Sequence, residues 1–149
     1  MGIYAPLLEG GAIMGNLGGL LGFLTGLLVF LALMNYVVKW VNRQWVAKLP
    51  KTSKFKAAYT PVMRFLVKNH RFFGLGAALT VAIHLILQIT FRWLSLTGLI
   101  ASIALALDVM IGAWLYFKQK GKRGPLFMVH RAMGVVLIIA IAAHMLSKM

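Results

Sequence analysis

The histidines of this chain fall into two copies of one motif, H-R-x-x-G-x9-H, in which the two histidines are fourteen residues apart. The copies are His70, Arg71, Gly74 and His84, and His130, Arg131, Gly134 and His144, which together hold all 4 histidines of the protein. Imidazole binds metal ions and transfers protons near neutral pH. Both copies lie in long apolar segments, so any such chemistry is expected to take place inside a membrane.

The composition is that of a membrane protein. The chain has 149 residues, of which 61% are hydrophobic and 12% charged, and its mean hydropathy is +0.87. Soluble domains average about 25% charged residues. The absence of cysteine excludes disulfides, thiolate-bound zinc, iron–sulfur clusters and covalently attached c-type haem.

Four apolar stretches are each long enough to cross a bilayer, which takes about 20 helical residues. Backbone polar groups cannot stay unpaired in lipid, so the stretches are predicted to be helices. The first lacks the basic start of a cleaved signal peptide and is expected to be retained. The predicted fold is a single domain over 1–149, an all-α, up-down-up-down four-helix transmembrane bundle. The predicted spans are 12–38, 61–91, 96–117 and 126–146.

The net charge of +14 is unevenly distributed. Nine of the 16 Lys and Arg lie between Lys39 and Arg71, and five more lie between Lys118 and Arg131. Basic residues in alternate loops mark the cytoplasmic side of a multispanning protein. We therefore expect a multi-pass protein of a bacterial or archaeal cytoplasmic membrane with both termini outside, and no nucleic-acid partner.

The connection over 39–60 interleaves apolar and basic residues, which is typical of a segment lying in the membrane interface. Thr60 and Pro61 predict an N-cap and first-turn proline for the second helix. Gly124 and Pro125 predict the same for the fourth.

The motif spacing places both histidines of a copy on one helix face. Fourteen helical residues advance about 21 Å and rotate about 1400°, close to four full turns. The second and fourth helices run parallel, so His70 should lie level with His130 on the inner side, and His84 with His144 on the outer side. A haem held by two histidines needs one imidazole from each of two helices. The spacing therefore predicts two b-type haems, an inner and an outer one.

Other uses of the histidines stay open. Zinc sites take three or four protein ligands, whereas each level offers two, and a proton relay would use closer groups. A haem sensor needs an open sixth position. The alternative function is a small transporter or assembly partner that handles protons or metals.

The remaining motif residues have two readings each. Gly74 and Gly134 leave room either for a macrocycle or for close helix packing. Arg71 and Arg131 either pair with haem propionates or anchor the helix starts, and Arg92 and Lys148 have the same two roles on the outer side. In the first helix, packing is favoured over haem contact for the glycine stripes Gly11, Gly15, Gly19 and Gly18, Gly22, Gly26.

Asp108 is the one acidic residue in the three later stretches, and it falls between the two histidine levels. An ionisable residue at that depth predicts a function. It would orient a histidine, take up protons coupled to haem reduction, or form a quinone site; otherwise it is a neutral carboxyl bonded to a neighbour. We favour a structural role beside the haem.

The two motif helices resemble the haem-binding helices of membrane b-type cytochromes: the cytochrome b of quinol-oxidising complexes, the b561-type cytochromes and ferric-reductase-like transmembrane proteins. The resemblance covers Pro61 to Met149. It implies that the four histidines are axial ligands. It also implies an electron carrier or oxidoreductase subunit that links a cytoplasmic redox partner, docked on the basic face, to quinone, an extracytoplasmic protein or ferric iron. The chain has four predicted spans, where ferric-reductase-like and eukaryotic b561 proteins have about six.

Overall fold

The structure is a computed structural model that describes residues 5–92, 94–119 and 124–147, with side chains from residue 13 onward. This part of the chain forms four long helices, and each is long and apolar enough to cross a membrane. They are α1 (Ala5–Gln44), α2 (Lys54–Phe91), α3 (Leu96–Phe117) and α4 (Pro125–Leu146), with a 3₁₀ turn, Val46–Lys48, between the first two. The predicted all-α, four-span bundle is confirmed.

The helices pack as two antiparallel hairpins. α1 lies along α2, α3 lies along α4, and α2 also contacts α3. Leu33 of α1 approaches Gly134 of α4, since a Cβ added to that glycine would lie 3.6 Å from the leucine methyl. The contacts therefore run around all four helices.

The core is small and lies midway along the helices. It consists of buried residues from every helix: Val29, Ala77, Ala104, Leu105 and Leu137. Large apolar side chains elsewhere face outward; Phe23 and Leu96, for example, are each 71% exposed. Such an apolar exterior suits lipid, and the chain is a multi-pass integral membrane protein.

The predicted start of the second helix at Thr60 and Pro61 is wrong. α2 begins at Lys54, and the side chain of Ser53 accepts a hydrogen bond from the Lys56 backbone N–H at 3.4 Å. Pro61 lies inside the helix, where it removes only one backbone donor. The Thr60 hydroxyl also stays within the helix, donating to the Lys56 carbonyl at 2.7 Å.

The connection between α1 and α2 is shorter than predicted because α1 continues to Gln44. It covers residues 45–53 and is held against both helices. Val46 is only 1% exposed, and the Lys56 ammonium donates to the carbonyls of Ala47 and Leu49 at 3.2 and 2.8 Å. α1 also begins earlier than predicted, at Ala5 instead of residue 12. The predicted boundaries of the last two helices are accurate: α3 spans 96–117, and Pro125 opens α4 directly after Gly124.

Candidate functional site

The four histidines are half-buried, and at the inner level they meet across the bundle. The ring centres of His70 and His130 lie 6.2 Å apart, with 65° between the ring planes. The predicted inner pair is therefore brought together. At the outer level, His84 and His144 are positioned by neighbours on α1 and α3, respectively.

On the first hairpin, each histidine of α2 hydrogen-bonds to a backbone carbonyl of α1. The His70 Nδ1–H donates to the Ala32 oxygen at 2.9 Å, and the His84 Nδ1–H donates to the Gly18 oxygen at 2.7 Å. The two acceptors are fourteen residues apart, like the histidines. A carbonyl only accepts, so the proton is on Nδ1, and the Nε2 of a neutral ring keeps its lone pair for a further ligand.

On the second hairpin, the neighbours are side chains of α3. The His130 Nδ1–H donates to Oδ1 of Asp108 at 2.7 Å, and this carboxylate is only 14% exposed. The His144 Nδ1 lies 3.1 Å from the Thr97 hydroxyl. Of the roles considered for Asp108, the structure places it to orient a histidine.

Three of the four rings lie directly against glycines. A Cβ added to Gly22, Gly98 or Gly112 would lie 3.0, 2.9 or 3.2 Å from the rings of His84, His144 and His130, respectively. Added Cβ atoms at 3.2 Å or less force the neighbour to move. The ring positions therefore depend on the missing side chains. Gly98 and Gly112 were not predicted from the sequence, although their separation of fourteen residues repeats the histidine spacing.

The two motif glycines do not contact the histidines in this way. A Cβ at Gly74 would meet nothing within 4 Å, so this glycine leaves open space beside its helix. A Cβ at Gly134 would make an ordinary contact with Leu33.

Three glycines of α1 lie against polar side chains of α2, the helix along which α1 packs. The Arg92 guanidinium reaches to 2.7 Å from a Cβ built on Gly15, and the Gln88 amide to 3.6 Å from one on Gly18. The reason lies on α2, where His84, Gln88 and Arg92 recur every four residues and so share one face. Cβ atoms built on Gly19 and Gly26 would have no neighbour within 4 Å. The surroundings of Gly11 lie outside the described part of the chain.

The motif arginines join one hairpin to the other. The Arg71 guanidinium lies 5.0 Å from the ring centre of Tyr116 on α3 and also donates to its hydroxyl. The Arg131 guanidinium lies 4.7 Å from the ring centre of Tyr36 on α1. Lys148, the outer counterpart considered above, lies outside the described residues.

These contacts extend the internal repeat from two helices to four. Gly18, Ala32 and Tyr36 on α1 correspond to Gly98, Gly112 and Tyr116 on α3, at a constant offset of eighty residues. α2 and α4 repeat at an offset of sixty, mainly because α1 and α2 extend further beyond the repeated residues at their inner ends than α3 and α4 do. The two hairpins therefore share an internal repeat in the segments that surround the histidines.

Among the described residues, no group of three or more His, Asp or Glu side chains is arranged to hold a metal ion. Comparison with protein-family models, curated proteins and solved structures finds no match for this chain.

Proposed function

We propose that the chain carries electrons across the membrane through two b-type haems, the inner held by His70 and His130 and the outer by His84 and His144. One observation carries the proposal. Each histidine turns Nδ1 toward an oxygen of a neighbouring helix, and Nε2 is the ring nitrogen that would bind the iron.

The donor set fits haem better than a bare ion. Haem supplies four equatorial nitrogens and needs only two axial ligands, which is what each level offers. Zinc takes three or four protein ligands, and no such cluster is found in the described part of the chain.

The spacing of the inner pair supports the same conclusion. A metal–imidazole bond is about 2 Å, and a ring nitrogen lies about 1.1 Å from the ring centre. The 6.2 Å between the ring centres of His70 and His130 would therefore allow both residues to hold one iron.

The hydrogen bonds at Nδ1 are those that metal-bound histidines ordinarily make. Such histidines donate the second ring N–H to a carboxylate or a backbone carbonyl, which orients the ring and makes it a stronger ligand. Asp108 supplies a carboxylate, and Ala32 and Gly18 supply carbonyls.

The rest of the bundle suits electron transfer. Haem supplies a one-electron couple at iron, so a donor at one face loses one electron and an acceptor at the other face gains it. The buried residues Val29, Ala77, Leu105 and Leu137 lie between the two levels and keep water from joining them. Arg71 and Arg131, both exposed at the inner level, would pair with the propionates of a bound haem.

The resemblance to membrane b-type cytochromes supports the same class of function. We propose that a redox protein docks on the basic inner face, where net positive charge attracts an acidic surface. Quinone, an extracytoplasmic protein or ferric iron is then the partner at the opposite face, in either direction of flow.

The test is to count haems per chain in purified histidine variants. We expect two haems in the unaltered protein and one in each of His70→Ala, His84→Ala, His130→Ala and His144→Ala. The double variant His84→Ala/His144→Ala should still hold one haem, whereas His70→Ala/His84→Ala should hold none. Ile83→Ala, which changes a side chain that is 50% exposed beside His84, serves as the control and should keep both.

Two results would overturn the proposal. Protein that stays colourless after expression with haem and after reconstitution would end the cytochrome assignment. The second result would be loss of both haems in His84→Ala/His144→Ala together with loss of only one in His70→Ala/His84→Ala. Each haem would then be bound by the two histidines of a single helix.

A further inference from the structure

A cavity of about 490 Å³ opens between α1 and α2 near the basic end of the bundle. Three of its lining residues are cations, and none is acidic. The lining residues are Lys39, Asn42 and Arg43 from α1, and Met63, Arg64 and Val67 from α2.

Neither acidic residue of the chain lies near Arg43 or Arg64. Its two acids are Glu9 and Asp108. Asp108 is bonded to His130, and Glu9 precedes Lys39 by thirty residues of one helix, about 45 Å. Three cations that converge from two helices therefore form an electropositive cavity that favours a bound anion.

The position of the cavity along the helices is the one expected for lipid headgroups. Lys39 follows Ala32, the inner histidine acceptor, by seven residues or about 10 Å of helix. Beside it, the rings of Trp40 and Trp45 meet edge to face at 5.0 Å, and tryptophans of membrane proteins concentrate at the bilayer interface.

We propose that this cavity binds the phosphate group of an anionic phospholipid. Arg43 and Arg64 are suited to phosphate oxygens because a guanidinium presents paired donors, and Lys39 adds a third positive charge. Met63 and Val67 give the cavity an apolar side for the start of an acyl chain. Basic pockets between membrane helices on the cytoplasmic side recognise such headgroups.

The general excess of basic residues on one side does not account for this arrangement. Topology requires cations in a loop, but it does not require them to converge on one cavity from two helices. Lys51 and Lys54 provide the comparison, since both are exposed, belong to the same basic end and do not line the cavity.

The test measures lipid binding to the purified full chain in a neutral detergent, by native mass spectrometry and by thermal unfolding. Phosphatidylglycerol should bind and stabilise the protein, and phosphatidylcholine should not. Arg43→Gln/Arg64→Gln should weaken phosphatidylglycerol binding roughly 30-fold, the effect of removing two interfacial cations. Lys51→Gln/Lys54→Gln, with the same loss of charge, should bind as the unaltered protein does.

A second variant guards against misfolding. Val67→Trp fills the cavity and keeps every charge, so it should also lose the bound lipid while unfolding normally in neutral detergent. Equal losses of phosphatidylglycerol binding in the two charge variants would overturn the proposal, because binding would then depend on the total positive charge of this end and not on the cavity. Displacement of the lipid by millimolar inorganic phosphate would also overturn it and assign the cavity to a soluble anion.

Discussion

The two hairpins hold their histidines in the same way but with different chemistry. In the first hairpin, α1 offers the backbone carbonyls of Ala32 and Gly18. In the second, α3 offers the side chains of Asp108 and Thr97. One copy of the repeat thus orients imidazoles with its main chain, and the other does so with residues that a single substitution can change.

The two kinds of acceptor differ in what they do: both orient a histidine, but only the charged one strongly changes the electrostatic environment of a bound ligand. A backbone carbonyl is neutral and survives any side-chain substitution, so α1 provides the constant part of the site. A carboxylate brings a negative charge into a medium of low dielectric constant, where its effect on a neighbouring metal centre is large. The two levels are therefore expected to differ in redox behaviour, and Asp108 at the inner level is the main cause.

The largest expected effect comes from the glycines beneath the rings. Gly98→Leu and Gly22→Leu should each remove the outer haem, because a Cβ at either position would lie within 3.0 Å of His144 or His84. Gly112→Leu should remove the inner haem through His130. Haem content should fall from two per chain to one in every case.

Gly26→Leu is the matched control, since its Cβ meets nothing within 4 Å. Redox titration identifies which haem is lost. If Gly22→Leu and Gly98→Leu removed different haems, the two hairpins would not contribute to a shared outer level.

The next effect is that of Asp108. Asp108→Leu leaves the His130 N–H without an acceptor and should weaken binding of the inner haem by about 10- to 100-fold, the usual cost of losing such a partner. Asp108→Asn keeps an acceptor but removes the charge, so it should raise the midpoint potential of the inner haem, because a nearby anion favours the ferric state.

Potentiometric titration and haem retention measure both outcomes. Ser102→Ala is the control on the same helix, since that hydroxyl donates within α3, to the Gly98 carbonyl at 2.8 Å. Unchanged potentials in Asp108→Asn, or equal shifts of both haems, would remove Asp108 from its assigned position.

A smaller effect is expected at Thr97, where a neutral hydroxyl replaces the carboxylate. Thr97→Val keeps the shape and removes the hydrogen-bonding group, at a cost of about 1 kcal/mol or roughly 5-fold in affinity for the outer haem. Thr97→Ser should restore the unaltered behaviour. A Thr97→Val effect as large as that of Asp108→Leu, measured by haem dissociation, would contradict the ranking of charged over neutral acceptors.

The sequence alone predicted what hydropathy and charge determine. α3 spans 96–117 as expected because lipid requires an unbroken apolar helix there. His70 and His130 meet because equal spacing on parallel helices puts them level. The predicted start of α2 was wrong because a proline often marks the first turn of a helix, but a membrane helix can also contain a proline such as Pro61 in its interior.

The partners of the histidines were harder to foresee. Every residue has a carbonyl, so nothing in the residue types distinguishes Gly18 or Ala32 as an acceptor. Gly98 and Gly112 carried a readable signal in their spacing of fourteen residues, but glycine is common in membrane helices. Only the packing of α3 on α4 assigns them to the rings.

The smallest expected effect tests how the hairpins are joined. Arg71 lies over the Tyr116 ring and also donates to its hydroxyl, whereas Arg131 lies over the Tyr36 ring. Tyr116→Phe should therefore lower the free energy of unfolding by roughly 0.5–1 kcal/mol, and Tyr36→Phe by less, because phenylalanine keeps the cation–π contact. Thermal unfolding in detergent compares the two variants. A greater loss in Tyr36→Phe would mean that the contact between Arg131 and Tyr36 depends on the tyrosine hydroxyl. Both arginines would then connect the hairpins in the same way.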